Sequence, residues 1–116
     1  MQSAKDIGIS SENIACSFLE DNGYRILVRN FRVRMGEIDI ICKKGNTLVA
    51  VEVKTIPEKW PSYDICDMVD SFKLTKIQSA FALFIANEKG LNYDEIRTDV
   101  ISVTRKGQVT HYKGVQ

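Results

Sequence analysis

Apolar and polar residues alternate along this chain with two different periods, and the switches between them mark out its elements. Ile14, Ala15, Phe18 and Leu19 recur at helical spacing, so a helix is predicted over 10–21. Ser10 or Ser11 stands at its start as a cap, and Asn22-Gly23 supplies the stop. Strand-like segments follow over 24–28 and 31–35, with a break near Asn30. The apolar runs over 37–43 and 47–55 read as a hairpin about Lys44-Gly45-Asn46. A second helix over 71–88 carries Ile77, Ala80, Phe81, Phe84 and Ile85 as a buried stripe, and Gly90 ends it. A final hairpin over 96–104 and 109–112 turns at Arg105-Lys106-Gly107. The predicted fold is α/β, a mixed central sheet flanked by helices in the order α-β-β-β-α-β-β. At 116 residues the chain has room for one ordinary core, so a single domain over 1–116 is expected.

The pattern within the 37–55 hairpin points to chemistry. Its two strands are nearly all Ile, Leu, Val and Ala, which suits central strands covered on both faces, yet they carry Asp39, Glu52 and Lys54. Alternation puts Glu52 and Lys54 on one face and Val49, Val51 and Val53 on the other, and Asp39 can lie across from the polar face. Converging carboxylates repel unless something positive stands between them, and a hard divalent cation with oxygen ligands is the usual solution. The plainer reading is a Glu52–Lys54 salt bridge on a solvated strand face. Against it stands the cost of a carboxylate in an apolar surrounding without a partner.

Composition narrows the remaining classes. A chain with 44% hydrophobic and 27% charged residues reads as a soluble globular protein. No apolar run approaches the roughly 20 residues of a membrane span, and residues 1–10 have no signal-peptide core, so a cytoplasmic protein with no membrane association is expected. Cys16, Cys42 and Cys66 are odd in number and lack C-x-x-C spacing, which fits buried thiols rather than disulfides or structural zinc. A lone histidine, His111, suits packing or surface roles better than catalysis.

The net charge of +1 hides an uneven distribution. Arg25, Arg29, Arg32 and Arg34 fall between Gly23 and Gly36 with no acid among them, and Tyr24 and Phe31 are interleaved. Arginine matches phosphate oxygens bidentately, so this stretch is a candidate nucleic-acid contact leading into Glu37 and Asp39. Its competing reading is a solvated strand face. Lys73 and Lys76 near the start of the second helix divide in the same way, between solvated surface and phosphate contact. The weak overall charge argues against tight, nonspecific binding of long duplexes. Residues 57–70, with Trp60-Pro61 and four acids against one lysine, read as a loop beside the site.

Asp39, an apolar stretch, then Glu52-Val53-Lys54 resembles the signature of the PD-(D/E)XK nuclease superfamily. The ordered series of Glu12, Gly23-Tyr24-Arg25-Ile26-Leu27, Arg29-Asn30-Phe31-Arg32, Gly36-Glu37-Ile38-Asp39-Ile40-Ile41, Val51-Glu52-Val53-Lys54-Thr55, Lys73 and Arg97-Thr98-Asp99-Val100 is similar to the small bacterial YraN-like proteins, a family of predicted endonucleases. That resemblance extends from about Gly8 to Val103. It implies a restriction-endonuclease-like core and metal-dependent hydrolysis of phosphodiester bonds in nucleic acid, DNA in the first instance, with branched or repair intermediates among the candidates. Asp39 and Glu52 would hold Mg²⁺ or Mn²⁺, the Val53 carbonyl would be a third oxygen, Lys54 would act on the attacking water or the developing charge, and Glu37 and Glu12 would be further site carboxylates. On the residues alone Glu12 reads instead as a first-turn acid favoured by the helix dipole. A homodimer is compatible with such a nuclease. The chain departs from the family at Ser11, where glycine is usual, at Ile56, where a basic residue is common, and over 57–70. Those departures leave two alternatives open, a nucleic-acid-binding module of the same fold that does not cut and a protein-interaction domain.

Overall fold

In a computed structural model, residues 3–56 and 69–116 are described, and they form two helices and five strands. The order is α1 (Ala4–Asp21), β1 (Arg25–Val33), β2 (Gly36–Lys44), β3 (Thr47–Ile56), α2 (Ser71–Asn87), β4 (Glu95–Thr104) and β5 (Val109–Tyr112). One sheet carries the strands in the order β1-β2-β3-β4-β5. Its β1–β2, β2–β3 and β4–β5 pairs are antiparallel, and β3 and β4, joined through α2, are parallel. The predicted α/β class, element order and restriction-endonuclease-like core are those of the protein. No helix among the described residues is long and apolar enough to cross a membrane.

Strand alternation divides the sheet between two cores. Leu48, Ala50, Ile41 and Val100 pack with Leu74, Ile77, Phe81 and Phe84 of α2. Val49, Val51, Cys42 and Ile101 pack with Ala15, Cys16 and Leu19 of α1 on the opposite face. Each large aliphatic side chain sealed in this way contributes about 1.5–3 kcal/mol, which is why β3 can be apolar on both faces and still belong in the middle of the sheet. Cys16 and Cys42 are buried free thiols, and burial pushes the Cys42 thiol up to about 12, so it is inert. Cys66, Trp60-Pro61 and the rest of the expected loop over 57–68 lie outside the described residues.

Helix α1 starts earlier than its sequence pattern suggests. Ser3 is the cap, accepting from the Asp6 N–H at 3.1 Å, so neither Ser10 nor Ser11 caps the helix. Ser11 is instead buried in mid-helix, with its hydroxyl 2.6 Å from that of Thr55 on β3. Glu12 is therefore well beyond the first turn, and the helix-dipole role fails. Helix α2 follows its pattern, capped by Asp70, which accepts from the Lys73 N–H at 2.8 Å.

The break expected near Asn30 is a single residue with φ 53 inside a continuous β1. It stands opposite Asp39, between the pairs Arg29↔Ile40 and Phe31↔Ile38. Alternation in β2 is broken at the same level: Ile38 joins the α2 core, Ile40 the α1 core and Ile41 the α2 core again. In a regular strand Ile38 and Ile40 would share a face. The sheet is thus irregular where the candidate chemistry lies.

Candidate active site

The β2–β3 ladder begins at Lys44↔Thr47 and ends at Ile40↔Val51, so the two strands part beyond that pair. Asp39 stands in the fork. Its Oδ2 accepts the Val53 N–H at 2.8 Å, a side chain taking the place of a ladder partner. This contact turns the Asp39 carboxylate toward β3 and the neighbouring Glu52. Glu52 lies on the α2 face of β3 and is only 4% exposed. Its Oε1 is 2.9 Å from Lys73 Nζ on α2 and 3.4 Å from Lys54 Nζ two residues along β3. The expected Glu52–Lys54 contact therefore exists, but on a covered face and shared with a second lysine.

Electrostatics mark the cluster as unbalanced. Burial and the Glu52 charge push the Asp39 carboxyl up to about 7, more than the Val53 hydrogen bond can offset. Burial also lowers the Lys54 ammonium, as does Lys73 beside it, against the pull of Glu52. Burial works against Lys73 too, yet its contacts with Lys54 and Glu52 raise it. Two acids and two lysines thus share one small volume, with Lys73 carrying the firmer positive charge. Glu12 reaches Asp39 only through its field.

The other sequence candidates are placed apart from this pair. Glu37 is exposed and pairs with Arg32 at 3.2 Å. Arg29 donates to Asn13 Oδ1 on α1 at 2.8 Å, and Arg25 and Arg34 are exposed. Lys76 Nζ lies 4.5 Å from the centre of the Phe72 ring. Val53 enters the site through its N–H. Among the described residues no group of three or more His, Cys, Asp and Glu side chains is close enough to hold a metal ion. Asp39 and Glu52 are a pair of hard oxygen donors, the chemistry that suits magnesium or manganese, which keep several waters and bind through one or two carboxylates plus substrate phosphates.

The packing of α2 sets this geometry. A Cβ on Gly36 would meet the Lys76 carbonyl oxygen at 2.9 Å, so only glycine lets β2 and α2 approach this closely. That approach carries Lys73, one helical turn earlier, to Glu52. The sequence pattern contains Gly36 and Lys73 but not their contacts, which join segments far apart in the chain. A second buried polar cluster also joins segments far apart in the chain. Asp99 on β4, wholly buried, accepts from Arg97 at 2.8 and 2.9 Å, from His111 at 2.7 Å and from the Gly114 N–H at 3.0 Å. Arg97 also donates to the Tyr24 hydroxyl at 2.8 Å. Arg97 and Asp99, two apart on one strand and so on one face, were the available signal.

Comparison with known proteins places the chain in a group. The model of the family described as uncharacterised protein family UPF0102 matches residues 11–103, which include every member of the carboxylate–lysine cluster. A UPF0102 protein of Thermotoga neapolitana is 41% identical over 106 residues, covering 91% of this chain and 94% of its own. One from Petrotoga mobilis is 45% identical over 101 residues, covering 87% and 88%. One from Geobacter metallireducens is 42% identical over 106 residues, covering 90% and 84%.

Proposed function

The chain belongs to the UPF0102 family, also called YraN-like, and we propose that it is a metal-dependent nuclease that hydrolyses phosphodiester bonds in nucleic acid. One observation carries this reading. Asp39 and Glu52 are drawn together where β2 and β3 part, with Asp39 held up to about 7 by burial and by Glu52. A fold gains nothing from that arrangement unless a cation and a phosphate complete it.

Asp39 and Glu52 would hold Mg²⁺ or Mn²⁺, with the Val53 carbonyl as a further oxygen. When bound, such an ion supplies a Lewis acid for the phosphate and lowers the pKa of water. The chain's own residues do the rest. Val53 N–H fixes the Asp39 carboxylate. Lys54, with its ammonium lowered by burial, is suited to orient a water or to share a proton with the leaving oxygen. Lys73 neutralises Glu52 in the free protein and would be free to meet a phosphate if that carboxylate held a cation. DNA is the first substrate to test, and the arginines of β1 would meet its phosphates.

A second reading, a nucleic-acid-binding module that does not cut, is favoured by one feature: Glu52 is already engaged by two lysines, and among the described residues no third acid stands within ligating reach. Calorimetric titration of Mn²⁺ and Mg²⁺ into the wild type and an Asp39→Ala, Glu52→Ala double variant separates the two. Binding that vanishes in the variant, together with cleavage of DNA by the wild type alone, supports the nuclease. No metal binding, with or without a DNA junction present, leaves the binding module.

A further inference from the structure

Beside the carboxylate pair, α2 and the far end of the β1–β2 hairpin enclose a groove of about 580 Å³. That volume is within the roughly 300–1,000 Å³ usual for ligand pockets. Its walls include Arg32 and Glu37 on one side and Phe72, Lys73 and Lys76 on the other. Phe72 is the notable member. It lies in the first turn of α2, off the stripe of Leu74, Ile77, Phe81 and Phe84 that faces the sheet, and is 69% exposed. Lys76 Nζ stands 4.5 Å from the centre of its ring, so a cation covers part of one face and orients the phenyl group.

We propose that this groove takes an unpaired nucleobase stacked on Phe72, with the adjoining phosphate on Lys73, so that the substrate is single-stranded or carries an unpaired stretch at the cut. The inference deepens the proposed function and rests on reading this face as the nucleic-acid side of the protein. Charge supports it. Glu37 is paired with Arg32 at 3.2 Å, and Asp70 is engaged as the cap of α2, accepting the Lys73 N–H. Lys76, and Lys73 once it leaves Glu52, are therefore what the groove presents to a ligand. Exposed aromatics flanked by cations are the means by which proteins hold single strands, because every base has a face to stack. A base inside a duplex is already stacked on both faces and has none free to lie on such a ring.

Lys73 also fixes the distance to the chemistry. It lines the groove, and its Nζ is 2.9 Å from Glu52 Oε1, so a nucleotide stacked on Phe72 has its phosphate beside the carboxylates. Gly36 keeps the groove narrow, since its Cα packs against the Lys76 backbone where no Cβ would fit.

Fluorescence anisotropy with labelled single-stranded and duplex oligonucleotides, as DNA and as RNA, in Mg²⁺ and in EDTA, tests this, with probe integrity checked on a gel. Single strands are expected to bind more tightly than duplexes, and Phe72→Ala to weaken them about tenfold, in line with the loss of one stacked base. Phe72→Trp is expected to keep the affinity. Removing one base of the oligonucleotide should cause the same loss in the wild type and no further loss in Phe72→Ala. The ring is mostly exposed, so both variants should fold, which circular dichroism checks. Equal affinity of Phe72→Ala and the wild type, or a preference for duplex, overturns the proposal while leaving the nuclease reading intact. Phe72-dependent binding without metal uptake or cleavage keeps the groove and removes the nuclease. No binding of any oligonucleotide in either buffer overturns the groove, and the metal titration then decides the carboxylate site by itself.

Discussion

Asp39 on β2 and Asp99 on β4 occupy the two strands that flank β3, and both carboxylates are withdrawn from water, yet their surroundings differ in kind. Asp99 receives two hydrogen bonds from Arg97, one from His111 and one from the Gly114 N–H. Burial alone would raise its carboxyl, but the bonds from His111, Arg97 and Gly114 outweigh it and hold the group below its ordinary value. An ionised carboxylate only accepts, so His111 carries its proton on Nε2. Among the described residues Asp39 has a single donor, the Val53 N–H, and a second acid beside it, and its carboxyl rises to about 7. A buried acid with every lone pair answered is part of the architecture. One kept at a disadvantage fits the proposed function, in which a cation from outside would complete the site.

The largest effect is expected on the satisfied side. Asp99→Ala removes the shared partner of Arg97 and His111 and leaves a part-buried guanidinium with only the Tyr24 hydroxyl among the described residues, which should destabilise the fold by about 2–4 kcal/mol in urea titrations. A loss below about 1 kcal/mol would mean the network is not the clamp its geometry describes. On the other side the sign reverses. Asp39→Asn removes a charge that the apo fold disfavours, and its amide oxygen can still accept from Val53, so the variant should be more stable at pH 8 by about 1–3 kcal/mol. The same substitution should abolish Mn²⁺ binding.

Acid titration separates the two carboxylates without any mutation. Asp99 has a lowered folded pKa, so its contribution is present above the ordinary carboxylate value of 3.8 and is lost as pH falls below it. Asp39 has a raised folded pKa. Its unfolded form releases the proton near 3.8 and its folded form only near 7, so stability declines as pH rises across that window and levels off above it. The stability difference between Asp39→Asn and wild type should therefore shrink as pH is lowered from 8 toward 4. A difference that stays constant with pH would show that Asp39 is as comfortable as Asp99.

How much of this could be read from the chain depends on how local each feature is. The 3.6-residue stripe at Ile77, Ala80, Phe81 and Phe84 and the alternating apolar runs of β2 and β3 specify their elements directly, and those elements stand where expected. The start of α1 was missed because Ser10 and Ser11 resemble caps, while Ser11 is used for a tertiary bond to Thr55. The juxtaposition of Asp39 with Glu52 was legible because a hairpin register brings them together. Lys73 on Glu52, and Arg97, Asp99, His111 and Tyr24 as one network, were not, because those contacts close over long separations that no local pattern encodes.

Gly36 tests how the strained side is assembled. In Gly36→Ala the new methyl meets the Lys76 carbonyl oxygen at 2.9 Å, so α2 must move away from β2. The expected loss is about 1–2 kcal/mol, with a weaker Lys73–Glu52 contact and an undisturbed Asp99 network. A crystal structure of the variant checks both halves of that expectation. Lys73 still at 2.9 Å from Glu52 would show that the lysine follows the carboxylate rather than the helix position.

The smallest effect on stability is expected at the rim, where it is also the most telling for function. Arg32 and Glu37 pair at 3.2 Å with both side chains more than half exposed, so solvent screens the attraction and holding two long side chains in place offsets it. Arg32→Ala should therefore shift stability by less than about 0.5 kcal/mol, in contrast to the loss of the part-buried Arg97–Asp99 pair. If Arg32 contacts phosphate, the same variant should weaken nucleic-acid binding across sequences and reduce the slope of log affinity against log salt by about 1. An unchanged salt slope would remove Arg32 from the interface and leave Lys73 and Lys76 as its cations. A stability loss as large as that of Asp99→Ala would instead make the rim pair structural, and the contrast between the two sides of the sheet would fail.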